Sequence, residues 1–378
     1  MLEKKILFVV NAPEFFLSHR LPIALAAQAA GYEVHVATAD GDAVDTIRGW
    51  GLRHHRVPIA RSSQNPFTEM GAVQALVRLF RRLRPDLVHL VTIKPVLYGG
   101  MAARLVGVPA VVAAVSGLGT VFVARSRLAR VRRRLVSVLY RLAFGHKRLA
   151  VIFQNPDDRD GLLAIGALQQ SQVRMIRGSG VNLSDYPMVA EPQGTPVVVM
   201  AARLLRDKGV YEFVEAARLL RSRGVSVTMR LIGSPDPGNP TSVTQAELEA
   251  WEAEKVVELP GYRADIAQQY ASANVVCLPS FYGEGLPKTL VEAAACGRAV
   301  VTTDHPGCRD AIRADESGLL VPVRDTSALA DAIQALVQDP EQRMRMGAAG
   351  RRLAEEAFAV ENIAEQHLAI YRELLLDD

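Results

Sequence analysis

Short runs of Val, Ile and Leu alternate along the chain with segments whose apolar residues recur at helical spacing. The runs that predict strands are KKILFVV, YEVHVAT, DLVHLV, PAVVAAV and LAVIFQ in the first half, then PVVVMAA, SVTMRLIG, KVVELPG, ANVVCLPS and RAVVTT. Continuous apolar strands separated by helices are typical of parallel sheets that are covered on both faces. The pattern predicts an α/β protein with two doubly wound, Rossmann-like domains.

The strand series is interrupted by YPMVAEPQGTP, which is rich in proline and lacks periodicity, as expected of a linker. The last element, AVENIAEQHLAIYRELLL, places apolar residues and His367 on one helical stripe, and this helix could pack on either domain. The predicted boundaries are an N-terminal domain over 1–188, a linker over 189–196, a C-terminal domain over 197–358, and a final helix over 359–378 that could pack back on the N-terminal domain.

Composition agrees with two folded domains, since 49% of the 378 residues are hydrophobic and 22% are charged. The three cysteines form no Cys-x-x-Cys pair and are interpreted as reduced thiols. The start MLEKKILFVV runs directly into a strand and does not resemble a signal peptide, and no apolar run reaches the length of a membrane span. These features predict a cytoplasmic protein.

One segment, SFYGEGLPKTLVEAAACG, combines a glycine-flanked carboxylate with the start of a helix. Pro287 suits the first turn of that helix and Gly297 its C-terminal cap. A helix N-terminus among small residues can receive an anion. A capped amphipathic helix would explain the apolar positions, but it leaves Glu284 unexplained, which favours a ligand contact for this carboxylate.

A second segment, MAARLLRDKG, ends a strand with Arg203 and opens a helix after Lys208. Two cations near the end of a central strand could hold a diphosphate. A solvated basic turn is an equally good interpretation of this segment taken alone.

Together, AARL…KG and GYRADIAQQYASANVVCLPSFYGEGLPKTLVEAAACGRAVVTTDHPGCRDAI resemble glycosyltransferase family 4. The family comprises retaining, nucleotide-sugar-dependent enzymes of the GT-B fold, in which two Rossmann-like domains face a central cleft. The N-terminal EFFLSHRLP, LVTIKPVLYGG and AVSGLGTVF further resemble bacterial members that build O-antigen, capsule or glycoprotein glycans on a polyprenyl-diphosphate carrier.

The resemblance implies a role for each matching residue. Arg203 and Lys208 would hold the donor diphosphate, Glu284 the donor sugar, and Glu292 the ribose hydroxyls. Glu284, Arg203 and Lys208 form the expected catalytic set, and the further donor-side residues are Gly285, Leu286, Pro287, Lys288 and Gly261. Fixed cations and helix dipoles can stabilise a departing diphosphate without a metal, so no metal cofactor is expected. An Asp-x-Asp pair in ADGDA is interpreted as a solvated turn.

Two departures from the family pattern concern the N-terminal domain. Phe15 and Phe16 occupy the positions of a Gly-Gly pair, and Ser116 replaces a His that faces the donor sugar. We expect at least one phenylalanine to contact the sugar face or the first isoprene units of the acceptor. Filling of the core between the domains is the alternative, and it is equally good for one of the two. The candidates on the acceptor side are Phe15, Phe16, His19, Lys94, Ser116, Gly117 and Gly119.

The stretch from Arg125 to Arg148 carries nine Lys or Arg residues and no acidic residue. Apolar residues recur through it at helical spacing: Leu128, Val131, Leu135, Val138 and Leu142. A core helix with a basic face and a nucleic-acid site are two interpretations, but no recognition module supports the second. Docking on the anionic inner membrane leaflet is favoured, because the resemblance implies a lipid acceptor. The predicted membrane patch is Arg127, Arg130, Arg132, Arg133 and Arg134.

The sequence thus predicts a metal-independent, retaining glycosyltransferase. It would move a sugar, an N-acetylhexosamine from a UDP donor, to a polyprenyl-diphosphate-linked saccharide. A transferase with another lipid or a soluble acceptor, and a nucleotide-sugar-binding module that has lost catalysis, are the alternatives. The Glu284 and Glu292 spacing argues against a sugar 2-epimerase of the same fold.

Overall fold

Contacts divide the chain into two compact units. The computed structural model describes residues 3–59, 66–118 and 127–376, and their side chains except those of 66–67 and 127–135. The first unit comprises Met1–Gly180 together with Val360–Asp378, and the second unit comprises Val181–Ala359. The predicted linker 189–196 therefore lies inside the second unit.

The first unit is built on a seven-stranded sheet of order β3-β2-β1-β4-β5-β6-β7, in which every pair is parallel. Its strands are β1 (Lys5–Val9), β2 (Glu33–Thr38), β3 (Arg53–Arg56), β4 (Leu87–Val91), β5 (Ala110–Val115), β6 (Leu149–Phe153) and β7 (Val173–Met175). Its helices include α1 (Pro13–His19), α2 (Leu21–Ala29), α3 (Val44–Gly49), α4 (Pro66–Leu83), α5 (Ile93–Val106), α6 (Arg127–Phe144) and α7 (Pro156–Ala164).

The second unit repeats this plan with six parallel strands in the order β10-β9-β8-β11-β12-β13. Its strands are β8 (Val197–Ala201), β9 (Thr228–Ile232), β10 (Glu258–Gly261), β11 (Val275–Leu278), β12 (Ala299–Thr303) and β13 (Gly318–Val321). Its α-helices are α8 (Val210–Ser222), α9 (Gln245–Glu254), α10 (Ile266–Ala271), α11 (Lys288–Ala295), α12 (Thr326–Gln338) and α13 (Pro340–Leu353). Two Rossmann-like, doubly wound units confirm the predicted fold class.

The strands that the apolar runs did not predict all lie at sheet edges. These are β3 and β7 at the two edges of the first sheet and β13 at one edge of the second. An edge strand has one hydrogen-bonding neighbour and more contact with water, so it does not need a continuous apolar run. The sequence of β3, RHHR, is the extreme case.

The final helix, α14 (Val360–Leu376), belongs to the first unit and packs against α2, β5 and β6. Its buried stripe contains His367 and Tyr371. The Tyr371 hydroxyl is hydrogen-bonded to Nδ1 of His89 in β4 at 2.5 Å, and the rings of His89 and His367 stack with centroids 5.5 Å apart. Arg20, at the start of α2, is buried beside this group. We call Arg20, His89, His367 and Tyr371 the buried polar cluster.

The two histidines of the buried polar cluster are neutral in the folded protein. Burial lowers the pKa of His367 to about 3 and that of His89 well below its ordinary value, and the positive charge of Arg20 acts in the same direction. In the unfolded chain both would take up a proton near pH 6.5. Because the unfolded state then binds more protons, stability is lost as the pH falls below 6.5.

We therefore expect the free energy of unfolding to fall between pH 7 and pH 5 by on the order of 2 kcal/mol for each of the two histidines. Urea unfolding at a series of pH values measures this slope. A His367→Gln variant should show a shallower slope than the wild-type chain. Equal slopes for the two chains would show that His367 does not contribute to the pH dependence of stability.

Candidate functional site

The carboxyl ends of the neighbouring strands β8 and β11 bring Lys208 and Glu284 together. Lys208 ends a single helical turn, Arg206–Lys208, and its Nζ lies 2.7 Å from Glu284 Oε2. The Ser280 hydroxyl donates to the other carboxylate oxygen, Oε1, at 2.8 Å. Both partners of the ion pair are largely buried, with side chains 12% and 14% exposed. The carboxylate is thus held at both oxygens, and its position is fixed by two separate segments.

Two glycines allow these segments to approach each other. Gly209 has φ +80°, and a Cβ there would lie 2.2 Å from the Pro279 carbonyl oxygen. Gly307 has φ +82°, and a Cβ there would lie 2.6 Å from the carbonyl oxygens of both Glu284 and Gly285. Side chains larger than hydrogen would separate the loop from its support at either position.

Glu292 lies in α11 and is 6% exposed. Its Oε1 accepts a hydrogen bond from the Tyr186 hydroxyl at 2.7 Å and lies 3.4 Å from Lys288 Nζ. Burial raises the pKa of this carboxyl, while Lys288 and Tyr186 oppose the shift. The helix ends as predicted, with Gly297 in the left-handed conformation at φ +66°.

The remaining donor-side candidates lie in the same unit but differ in their contacts and burial. Arg203 donates to Asp236 at 2.8 Å, in the segment after β9. Leu286 and Pro287 are buried, Leu286 being part of the core of the second unit. Gly285 is also buried, and Gly261 ends β10 with φ +72°.

In the first unit, the two phenylalanines have different environments. Phe16 is fully buried and packs edge-to-face against Phe8, with ring centroids 6.0 Å apart. Phe15 is half-buried and stacks on His19, with centroids 4.0 Å apart and an interplanar angle of 1°. The Ser18 hydroxyl is hydrogen-bonded to Nδ1 of that histidine at 2.7 Å. The structure places Phe16 in the core, so of the residues in this helix only Phe15 and His19 stay candidates for an acceptor contact.

The other acceptor-side candidates are spread along the carboxyl edge of the first sheet. Lys94 forms an ion pair with Glu69 at 2.7 Å. Ser116 follows β5 and is half-buried, and Gly117 is buried with φ +102°. Gly119 lies outside the described residues.

The apolar stripe predicted along α6 is not uniformly a core stripe. Val138 and Leu142 are 49% and 46% exposed, and Tyr140 and Phe144 are buried in their place. Leu105, near the end of the adjacent helix α5, is 70% exposed. The side chains of the five arginines predicted as a membrane patch, residues 127, 130 and 132–134, lie outside the described residues.

Ser280, Tyr186 and Asp236 were not predicted as site residues. Tyr186 and Asp236 each reach their partner from a distant segment, and no spacing rule connects Tyr186 with Glu292. Of the three, only Ser280 has a sequence position that indicates a site residue, because it directly follows a buried strand in a glycine-rich stretch. Within the described ranges, no group of three or more His, Cys, Asp or Glu side chains could hold a metal ion. Of the helices in those ranges, none is long and apolar enough to cross a bilayer.

Each of the two units matches a glycosyltransferase family model. Residues 187–353 match the family model "Glycosyl transferases group 1", and residues 5–155 match "Glycosyl transferase 4-like". The N,N'-diacetylbacillosaminyl-diphospho-undecaprenol alpha-1,3-N-acetylgalactosaminyltransferase of Campylobacter jejuni is 28% identical, over 94% of this chain and 97% of the relative.

Solved structures show the same fold. Sucrose-phosphate synthase from Thermosynechococcus elongatus superposes with a TM-score of 0.82 at 23% identity, covering 100% of both chains. Anabaena HepE (Alr3699), solved in complex with UDP-glucose, has a TM-score of 0.76 at 18% identity, covering 98% of this chain and 99% of that one.

The close packing at Gly307 predicts a large effect of a single methyl group. Gly307→Ala should lower the free energy of unfolding by about 1–2 kcal/mol for the left-handed backbone, plus about 1–3 kcal/mol for the overlap with two carbonyls. Gly224→Ala is the matched control, because Gly224 has φ +71° and nothing within 4 Å of its would-be Cβ. Urea unfolding compares the two variants. Equal losses would show that the loop carrying Glu284 moves away freely.

Proposed function

Because this chain belongs to family 4 of the glycosyltransferases, with the GT-B fold, we propose that it is a retaining enzyme of cell-surface glycan biosynthesis. It moves an N-acetylhexosamine from a UDP donor onto a polyprenyl-diphosphate-linked saccharide. The Campylobacter relative is named for transfer of N-acetylgalactosamine to a diphospho-undecaprenol-linked sugar, and the Anabaena neighbour was solved with UDP-glucose. The observation that carries the proposal is the buried Lys208–Glu284 pair.

In this proposal Lys208 serves the carboxylate and the donor diphosphate at once. An ammonium has three N–H donors, and the ion pair uses one of them. Arg203 offers a fork of five N–H donors, one of which goes to Asp236. The two cations stabilise the charge that develops on the departing diphosphate, which is the largest demand of the reaction. Glu284, fixed by Lys208 and Ser280, then holds the hydroxyls of the donor sugar.

Glu292 is the proposed ribose contact. Both of its bonds in the structure fall on Oε1. Among the described residues none bonds Oε2, so this oxygen is available to accept from a ribose hydroxyl. Burial raises the pKa of this carboxyl and Lys288 opposes the rise, which favours the ionised form, the stronger acceptor.

Retention follows if the acceptor hydroxyl attacks the face from which the diphosphate departs. The diphosphate then takes the proton of the attacking hydroxyl, and no protein nucleophile is needed. Cations and backbone dipoles supply the electrostatic stabilisation in place of a metal.

The acceptor's lipid requires a membrane surface, and we propose that α6 and the end of α5 provide the docking face. Val138, Leu142 and Leu105 are exposed there. Arg104 donates to the Leu142 carbonyl at 2.7 Å, which joins the end of α5 to α6. Exposed apolar side chains beside a basic sequence suit the boundary between headgroups and acyl chains of an anionic bilayer.

The reaction is tested by incubating the purified chain with labelled UDP-N-acetylhexosamines and a polyprenyl-diphosphate-linked saccharide, with and without EDTA. We expect transfer with retained anomeric configuration and at most a small effect of EDTA. Tight UDP binding without turnover would indicate a binding module instead, and loss of activity in EDTA would refute the metal-free mechanism.

Two carboxylate variants separate the proposed roles. Glu284→Ala should lower kcat by about 100-fold or more with UDP affinity nearly unchanged. Glu292→Ala should weaken UDP binding by about tenfold, while Glu292→Gln, which keeps an acceptor oxygen, should lose less. Isothermal titration with UDP and initial rates measure the two effects. A parallel loss of UDP affinity in both alanine variants would mean that the roles are divided wrongly.

Membrane docking is tested by flotation with vesicles rich in phosphatidylglycerol. Two sets of substitutions should each reduce the fraction of protein that binds the vesicles. One set replaces Arg132, Arg133 and Arg134 with Glu, and the other combines Val138→Ser with Leu142→Ser. Arg345→Glu, at an exposed arginine of the second unit, is the control. Equal binding to neutral vesicles, or unchanged binding of both sets of variants, would contradict the proposal.

A further inference from the structure

Three arginines are buried among the residues whose side chains the structure describes. Arg20 and Arg298 are each 1% exposed, and Arg343 is 5% exposed. Burying a guanidinium is costly unless its N–H groups are bonded and its charge is balanced. The surroundings of each of these three guanidinium groups therefore show whether the fold itself meets both conditions.

The second unit satisfies both of its buried arginines. Arg298 donates to the carbonyl oxygens of four residues, at distances from 2.7 to 3.4 Å: Val189, Ala190, Tyr270 and Ala271. Arg343 bonds Glu191 at 2.9 Å and also donates to the Leu336 and Val337 carbonyls. In each case the guanidinium is surrounded by acceptors that the fold itself supplies.

Arg20 lacks such an environment. Its Nη1 donates to the His19 carbonyl at 2.8 Å, and its Nη2 lies 3.5 Å from the Ser116 hydroxyl. Its Nε is buried and bonds nothing in the described part of the chain. The neighbouring groups of the buried polar cluster are two imidazoles and a phenol, which carry no negative charge. Two of these, His89 and His367, also have a buried, unpartnered Nε2.

The guanidinium lies near the place where a doubly wound sheet binds its ligands. The strand order of the first unit reverses between β1 and β4, and ligands bind beyond the carboxyl ends of strands at such a point. Asn11 follows β1 and Thr92 follows β4, and each has a buried side-chain oxygen without a partner in the described residues. Ser116 follows the next strand, β5, and is half-buried, so the Nη2 end of Arg20 reaches this edge.

We propose that Arg20 binds a phosphate group of the acceptor's diphosphate, with the Ser116 hydroxyl as a second ligand. The inference rests on the proposed function and names the residue that recognises the acceptor's charged group. A guanidinium bonds phosphate through paired N–H groups, and a hydroxyl beside it completes the contact. The phosphate balances the charge that the fold leaves uncompensated.

Other cations near this edge are less suited to the task. Lys94, the basic acceptor-side candidate of the sequence, is already paired with Glu69. The donor diphosphate has Arg203 and Lys208 in the second unit. Arg20 is therefore assigned to the acceptor, and its loss should affect the acceptor and not the donor.

The test measures the thermal shift that farnesyl diphosphate produces in the full chain with UDP at saturation, so that the donor site is occupied. Farnesol and inorganic pyrophosphate are run alongside, to separate the lipid from the anion. We expect farnesyl diphosphate to raise Tm and farnesol to leave it unchanged. A pyrophosphate shift equal to that of farnesyl diphosphate would assign the site to free anions and overturn the acceptor assignment.

Arg20→Gln should abolish the farnesyl diphosphate shift and raise the acceptor KM by about tenfold or more, with the UDP dissociation constant within about twofold of wild type. Arg20→Lys keeps the positive charge but lacks the paired N–H donors of a guanidinium. Its Tm shift and its acceptor KM should therefore lie between those of wild type and Arg20→Gln. Ser116→Ala should raise the acceptor KM less. The matched control is Arg298→Lys, at the equally buried arginine that the fold satisfies, which should keep the shift.

The possible failures are distinguishable. If the wild-type chain glycosylates a lipid-linked acceptor and Arg20→Gln responds to farnesyl diphosphate like wild type, the assignment of Arg20 is wrong and the proposed function stands. If wild type does not respond to farnesyl diphosphate and glycosylates only soluble acceptors, both are wrong. Should Arg20→Gln fail to fold, Arg20→Lys and Ser116→Ala decide, and wild-type acceptor KM values in both would overturn the inference.

Discussion

The ion pair between Lys208 and Glu284 determines how the second unit is organised at the carboxyl edge of its sheet. An ammonium and a carboxylate that are both largely buried need close contact and further hydrogen bonds to offset the loss of hydration. The chain meets this need with Ser280 and with two glycines that let backbone segments approach within contact distance. The loop before α11 is therefore held in place by contacts from within the second unit.

The first unit also buries a cation, but it surrounds that cation with different groups. Its central buried cation, Arg20, is surrounded by neutral rings instead of an acid. A carboxylate at this position would pair with the guanidinium and compete with an external anion for its N–H groups. The second unit thus carries a buried ammonium, that of Lys208, which is paired with a carboxylate. The first unit carries a buried guanidinium, that of Arg20, whose described neighbours include no acidic partner.

Much of the fold could be predicted from the sequence, because central parallel strands must be apolar on both faces. The edge strands β3 and β7 were missed for the complementary reason, since one side of each strand has no neighbour and its sequence is not continuously apolar. The third missed edge strand, β13, has the apolar sequence GLLV, so this reason does not apply to it. Within the site, Glu284, Glu292 and Lys208 stood out through local motifs, and Gly297 through the helix end it forms. Tyr186 could not be found, because its contact with Glu292 spans 106 positions. Phe16 and Phe15 are adjacent, and only the helix geometry of α1 separates the core residue from the half-buried one.

The position of α14 has a consequence for how the chain is made. This helix follows the entire second unit in the sequence, yet it covers part of the first sheet and supplies His367 and Tyr371 to its interior. During synthesis the face that includes His89 stays uncovered until the ribosome has added the second unit and then the helix. The N-terminal portion translated alone would expose apolar surface and would leave Nδ1 of His89 without its Tyr371 partner. The two units are therefore coupled in biogenesis, and separating them for expression requires α14 to be moved next to residue 180 by a short connection.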